Sequence, residues 1–305
     1  MPMGELAALG AALCWAFTAL LFASAGARIG SLSVNLIRLL IALAMLSAYA
    51  WVSRGTALPT DASGHAWLWL SVSGLVGFCI GDLCLFRALL VIGPRLSSLL
   101  MSLTPLLTAM FGWVILGETL TPQQAAGMTL VVAGIAWAVA DRTPAAASGP
   151  RPTRRRLLVG AALGVGGAAG QAGGLVLSKY GMGEFDPFAS TQIRIIAGIV
   201  GFSALFTLTG WWPRTIDALR QPKAMLYTAG GAMFGPFIGV SLSLVAVQTT
   251  TSGVAASLMA TSPIIVIPLV VLLRGERVGL GGVGGALVAV TGVVLLTGPA
   301  WVSAL

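Results

Sequence analysis

Charged side chains are scarce in this sequence. Among 305 residues there are 9 acidic and 17 basic side chains, a single histidine and three cysteines, whereas hydrophobic residues make up 57% of the chain. Soluble domains carry about 25% charged residues, and a water-soluble chain of this length has no means of burying so much apolar surface. The composition therefore excludes a soluble protein and predicts a membrane protein.

Residues that build catalytic or metal centres are also missing. Cys14, Cys79 and Cys84 lie in apolar runs without CxxC spacing, and the lone His65 has no metal-binding neighbour in sequence. The chain has no Gly-Lys-Ser/Thr motif to bind phosphates and no His/Asp/Ser cluster to supply a nucleophile with its base. We therefore expect no catalytic residue, no metal, no cofactor and no bound nucleotide, and we do not expect an enzyme.

Long apolar runs occupy nearly the whole chain. A helix needs about 20 apolar residues to cross the hydrocarbon layer. This rule predicts an all-α polytopic membrane protein with ten transmembrane helices, at about 4–25, 32–52, 66–91, 94–116, 122–140, 157–179, 187–211, 223–247, 251–273 and 279–298. The segment 141–156 contains three prolines and reads as a flexible linker.

The two parts of the chain on either side of this linker resemble one another. Pro105 and Gly117-Glu118 recur 158 residues later as Pro263 and Gly275-Glu276, and Ile37-Arg38 recurs 156 residues later as Ile193-Arg194. We therefore predict two repeats of five helices, 1–140 and 157–305. An odd number of crossings inverts the second repeat relative to the first, which is the architecture of secondary transporters with a site near mid-membrane.

Basic residues are distributed unevenly between the predicted loops. Loops on the side of the two chain ends (the chain-end side) hold two of them, Arg54 and Lys179, whereas the opposite side (the linker side) holds twelve. Cytoplasmic loops of membrane proteins are enriched in Lys and Arg. We therefore expect a multi-pass protein of the cell inner membrane, with the linker in the cytoplasm and both termini in the periplasm. The net charge of +8 reflects this orientation and does not indicate binding to nucleic acid.

Three ionisable residues within the predicted helices are informative, because a charge at the bilayer centre costs about 2.5–3.5 kcal/mol and should face protein or water. Arg38 and Arg194 are repeat mates, which suggests a shared duty, either binding helix-end carbonyls or binding an anion. Asp82 lies on one helix face with Phe78 and Leu85. We expect Asp82 to pair with Arg38 in a structural ion pair; the alternative is a direct role with substrate or proton.

Aromatic and polar residues fall where a central cavity would need them. Trp15 and Phe17 lie midway along the first helix, and the repeat places Gln171 opposite Trp15. Pro105 and Pro263 follow hydroxyl-rich runs and are expected to bend their helices, and an inverted pair of bends suits a carrier that opens to each side in turn. The residues predicted to contact substrate are Trp15, Phe17, Phe78, Asp82, Met101, Gln171, Ser243 and Thr261.

The repeat, the ten spans and the paired Gly-Glu motif resemble the drug/metabolite transporter superfamily, specifically its ten-helix EamA branch. The motif reads Leu116-Gly117-Glu118-Thr119-Leu120-Thr121, with its copy Arg274-Gly275-Glu276-Arg277. Chain length and helix polarity look most like bacterial amino-acid exporters of the YddG type. The resemblance implies a cavity lined by the first, third, fourth, sixth, eighth and ninth helices, with Glu118 and Glu276 fixing helix ends away from the substrate.

The sequence therefore predicts a secondary transporter that lies in the lipid bilayer and exports small neutral metabolites, amino acids including aromatic ones, by alternating access. A broad exporter of drugs or sugars is the alternative within transport. A lipid-handling or assembly subunit without transport activity is the alternative from another class.

The predicted orientation can be tested with a reporter fused after Leu305. Because the basic loops lie opposite the chain ends, a periplasmic reporter should be active at this position and a cytoplasmic one inactive. The same reporters inserted in the linker should give the reverse pattern. Activity of a cytoplasm-only reporter after Leu305 would contradict the assignment.

Overall fold

A computed structural model describes residues 3–141, 153–265 and 280–297. Within these ranges the chain forms helices connected by short turns, with no strand. The helices lack the charged faces of soluble helices and expose large apolar side chains, among them Trp51, Val52, Leu90 and Leu208. A helix with an apolar outer surface is stable in lipid, where its backbone groups are satisfied internally.

The ten predicted spans are helices in the described part of the chain. Seven of them are long and apolar enough to cross a membrane: α1 (Met3–Ile29), α2 (Ser31–Arg54), α3 (Gly64–Gly93), α4 (Leu96–Leu116), α6 (Arg154–Met182), α7 (Pro187–Thr209) and α8 (Pro222–Thr249). The remaining three spans correspond to α5 (Pro122–Asp141), α9 (Ser252–Ile265) and α10 (Leu280–Thr297).

The predicted spans leave residues 212–222 as a connection, but the structure contains a further short helix there, Trp212–Leu219. Pro213 lies in its first turn, where the missing proline N–H has no helical partner to lose. Exposed residues dominate this helix. It lies on the linker side and adds no membrane crossing.

The repeat seen in the sequence is also present in the backbone. Residues Leu75–Gly81 of α3 form a π-helical segment, and so do residues Met233–Gly239 of α8. The two segments are offset by the same 158 residues as the Gly-Glu motifs. Such wide turns are rare and are often found at functional sites, and here they lie in the middle of the third helix of each half.

Pro105 and Pro263 do not bend continuous helices, and this expectation was wrong in its mechanism. Residues 102–103 form a turn, and the next helical segment begins at Thr104 with Pro105 in its first turn. Residues 260–261 form a turn in the same way, directly before the segment that contains Pro263. Because N–H groups in a first turn have no partner within the helix, each proline starts a segment and the turn before it makes the break.

The helices of the two halves pack through glycine. Gly127 and Gly134 of α5 face Gly285 and Gly292 of α10, and a Cβ added at any of these positions would lie within 3 Å of the facing backbone. Gly170 of α6 meets α3 equally closely. Small residues let membrane helices approach closely enough for backbone packing, so these contacts fix the helices around the centre of the protein.

The α5–α10 contact can be tested by Gly134→Ala. The added Cβ would lie 2.6 Å from the carbonyl oxygen of Gly285, and overpacking of this kind costs about 1–3 kcal/mol. We expect a lower melting temperature in detergent, measured by intrinsic fluorescence. Gly26→Ala is the matched control, because a Cβ there meets nothing within 4 Å; equal melting temperatures of the two variants would contradict this account.

Candidate substrate cavity

A cavity of about 450 Å³ lies between the two halves of the protein. Its walls are mainly apolar, with hydroxyl groups, one amide and one guanidinium. The described lining residues are Trp15, Phe78, Leu85, Leu89, Ser98, Met101, Ser102, Thr104, Ile135, Gln171, Leu175, Arg194, Val240, Ser243, Ala256, Met259, Ala260, Ser262 and Pro263. A mainly apolar, concave site with a few polar groups is the usual form of a small-molecule site.

Five of the residues predicted to contact substrate line this cavity: Trp15, Phe78, Met101, Gln171 and Ser243. They belong to five different helices, three in the first half (α1, α3 and α4) and two in the second (α6 and α8). The fold therefore brings them together from distant parts of the sequence. Their contact with substrate stays a prediction.

Phe17 and Thr261 are placed outside the described lining. The ring of Phe17 packs on Phe234, with 5.4 Å between the ring centres. The hydroxyl of Thr261 donates to the carbonyl of Leu258 at 2.7 Å, inside the break of α9. Phe17 thus serves contact between α1 and α8, and Thr261 satisfies a backbone group that the turn releases.

Asp82 also lies behind the lining, although Phe78 and Leu85 on the same helix reach the cavity. Asp82 is buried and forms an ion pair with Arg38 of α2, which is the pairing predicted from the sequence. Gln171 donates from its Nε2 to Asp82 Oδ1 at 2.9 Å. We call this group of three the α2–α3–α6 triad; it joins the two halves and neutralises both charges internally.

The repeat mate of Arg38 is in a different situation, so the expectation of a shared duty was wrong. Arg194 lines the cavity, with 5% of its surface exposed. No hydrogen bond or ion pair of its guanidinium is found within the described residues. Its Cζ lies 5.1 Å from the ring centre of Phe78, a distance at which cation and ring attract.

Glu118 connects helix ends on the chain-end side. It accepts from the backbone N–H of Ser252 at 2.8 Å and from the Ser252 hydroxyl at 3.1 Å, so its negative charge caps the start of α9. Lys179 of α6 lies 2.7 Å from Glu118 and donates to the Thr250 carbonyl at 2.7 Å. Glu276 lies outside the described residues.

Further hydrogen bonds close the same side. Gln248 at the end of α8 donates to the carbonyls of Gly183 and Phe185 at 2.9 and 3.1 Å. Gln192 of α7 donates to the Ala57 carbonyl at 2.7 Å. Together with the Glu118 contacts, these bonds tie the chain-end loops of both halves together above the cavity.

The cavity contains residues that the sequence analysis did not single out. Met259 is the repeat mate of Met101, so the offset of 158 could have identified it. Val240 is the repeat mate of Asp82 at the same offset. The α5 residue Ile135 carries no such signal, since an apolar residue in an apolar helix is unremarkable. The resemblance implied six lining helices, and α5 and α7 contribute as well.

The chain is similar to known proteins over nearly its whole length. Residues 2–140 and 158–298 each match the model of the EamA-like transporter family. Among solved structures 29 chains match; one, described only as the crystal structure of a protein, is 20% identical, covers 96% of both chains and has a TM-score of 0.74. This likeness shows a shared fold. No curated protein matches the sequence.

The role of the triad can be tested by Asp82→Asn. Removal of one partner leaves Arg38, whose side chain is 15% exposed, without its partner inside the bundle, where breaking a buried pair costs about 3–5 kcal/mol. We expect lower thermal stability and an unchanged pH dependence of transport. The double variant with Arg38→Gln removes both charges and should recover part of the stability.

The alternative role of Asp82 predicts a different outcome. If Asp82 carries a coupled proton, Asp82→Asn should remain as stable as the wild type but lose its response to an imposed pH gradient. Full stability together with a full pH response would contradict both roles.

Proposed function

We propose, from the premise that the chain belongs to the EamA-like transporter family, that it exports small neutral metabolites, amino acids including aromatic ones, by alternating access. The family consists of membrane transporters. The cavity supports the substrate class, and the closed side and the distribution of charge support the direction of transport.

The observation that carries this proposal is the cavity between the two halves. Its volume of about 450 Å³ lies within the usual range of small-molecule sites. Trp15 and Phe78 offer aromatic surface, and Met101 and Met259 offer adaptable apolar contacts. Gln171 and the hydroxyl groups supply a small number of hydrogen-bonding positions, a combination that suits an amphipathic molecule such as an aromatic amino acid.

The hydrogen-bond network above the cavity supports an alternating-access mechanism. Glu118, Lys179 and Ser252 connect three helices on the chain-end side, whereas the lining residue Ser98 near the linker-side start of α4 is exposed. We infer that this conformation admits substrate from the linker side. In the alternate conformation the chain-end contacts would separate, with the breaks in α4 and α9 as places where the helices can adjust.

The direction of transport depends on the orientation of the chain. With the basic linker in the cytoplasm, the conformation described here faces inward, in the cell inner membrane, and release follows in the periplasm. A drug or sugar exporter would use the same cavity and is distinguished by its substrates. A lipid-handling or assembly subunit would not need an enclosed polar and aromatic site.

Liposomes containing the purified protein provide the direct test. We expect uptake of radiolabelled phenylalanine and other neutral amino acids above that of protein-free liposomes, measured with and without an imposed pH gradient. Absence of amino-acid flux together with flux of sugars or drugs would replace the substrate class. Absence of any flux would favour the assembly subunit.

A matched pair of variants tests whether the substrate passes through the cavity. Ser98→Trp places a large ring in the cavity from an exposed position and should reduce flux several-fold. Leu90→Trp adds a ring on the nearby lipid-facing surface, where Leu90 is 75% exposed, and should leave flux close to that of the wild type. Equal flux through both variants would contradict passage of the substrate through the cavity past Ser98.

A further inference from the structure

We propose that Arg194 binds a carboxylate of the transported molecule, so that the cavity selects monoanionic groups attached to an apolar or aromatic body. This inference rests on the proposed function, because it names the substrate chemistry of the same cavity. Of the two duties that the sequence left open for Arg194, binding helix-end carbonyls and binding an anion, it chooses the second and names the anion.

The first observation is a buried charge without an internal partner. Arg194 has 5% of its surface exposed, and its Nε has no hydrogen-bond partner. No acidic side chain of the described ranges lies within ion-pair distance of its guanidinium. The side chain lines the cavity, so its remaining donors can be met by a molecule that enters there.

The second observation is the broken symmetry of the repeat. In one half Arg38 is neutralised by Asp82, which also accepts from Gln171. At the symmetry-related positions, the repeat offsets place Val240 of the second half in place of Asp82 and Trp15 of the first half in place of Gln171. Both of these replacements line the cavity. Arg194 therefore keeps the position of Arg38 but has no counterpart of Asp82, its acidic partner, or of Gln171, which binds that acid.

This asymmetry determines which ligand chemistry fits. An intramembrane charge is stable when it is paired or hydrated, and a guanidinium binds a carboxylate through two parallel N–H···O bonds. Among the described lining residues Arg194 is the only charged one. One free positive charge favours a monoanion over a phosphate dianion.

The surroundings of Arg194 indicate what the carboxylate is attached to. Phe78 packs against the guanidinium, and Trp15 and Val240 line the same cavity. These groups carry no charge, and the other hydrogen-bonding side chains of the lining are hydroxyls and the Gln171 amide. An aromatic or apolar group next to the carboxylate would be covered on several sides.

The test uses a pair of ligands that differ in charge and hardly in shape. Binding of 3-phenylpropanoate and of 3-phenylpropanamide is measured on the purified protein in nanodiscs by calorimetry, and L-phenylalanine is compared with L-phenylalaninamide. We expect the wild type to bind each carboxylate at least tenfold more tightly than its amide. Equal affinities, or no binding of either carboxylate, would overturn the inference.

Two kinds of variant then test whether Arg194 causes the tighter binding of carboxylates. Arg194→Gln should abolish it, and Arg194→Lys should retain part of it because the charge remains. Val240→Asp restores the missing internal partner, so it should abolish the preference with Arg194 still present. Val240→Asn is the same size without the charge, and a difference of at least tenfold in carboxylate affinity between the two Val240 variants is expected.

The readouts separate this inference from the transport proposal. Arg194-dependent carboxylate binding without any amino-acid flux in liposomes would contradict the proposed function and support the inference. Amino-acid flux that is equal for Arg194→Gln and wild type, with no carboxylate preference, would support transport and overturn the inference. Thermal stability of each variant is recorded. If Arg194→Gln does not fold, the inference is tested by the difference in carboxylate affinity between Val240→Asp and Val240→Asn.

Discussion

Hydrocarbon offers no hydrogen bonds, and this constraint governs the polar groups inside the described part of the helix bundle. The backbone is satisfied within helices, hydroxyls of the broken helices bind the carbonyls that each turn releases, and Glu118 caps the start of α9. Charges inside the membrane must find partners or face a cavity. Arg38 has an acidic partner and Arg194 lines the cavity, and the proposed ligand site is inferred from this difference.

Duplication gave the protein two similar halves, and function depends on where they differ. The π-helical segments and the turns before Pro105 and Pro263 occur at matching positions, so both halves share a backbone design. The polar triad of Arg38, Asp82 and Gln171 occurs once. On the other side of the pseudo-symmetry axis, apolar residues replace two of its members and form the wall of the cavity instead.

The conformation is held by contacts at one end of the helix bundle. Ion pairs and side chain–backbone hydrogen bonds connect the chain-end loops of both halves, while glycine contacts in mid-membrane provide close packing without directional bonds. Polar contacts at helix ends can exchange with water when they separate, whereas the same groups in hydrocarbon could not. For a carrier that alternates as proposed, this difference favours opening at the end of the bundle.

Hydropathy, repeat spacing and residue identity were enough to predict ten spans, two similar halves and the pairing of Arg38 with Asp82, because each follows from the cost of exposing polar groups to lipid. The sequence did not reveal that Pro105 and Pro263 begin helical segments, that Lys179 binds Glu118, or that Arg194 lacks a partner. These features depend on which helices become neighbours. Apolar helices look alike in sequence, and their packing is decided by three-dimensional fit at small residues.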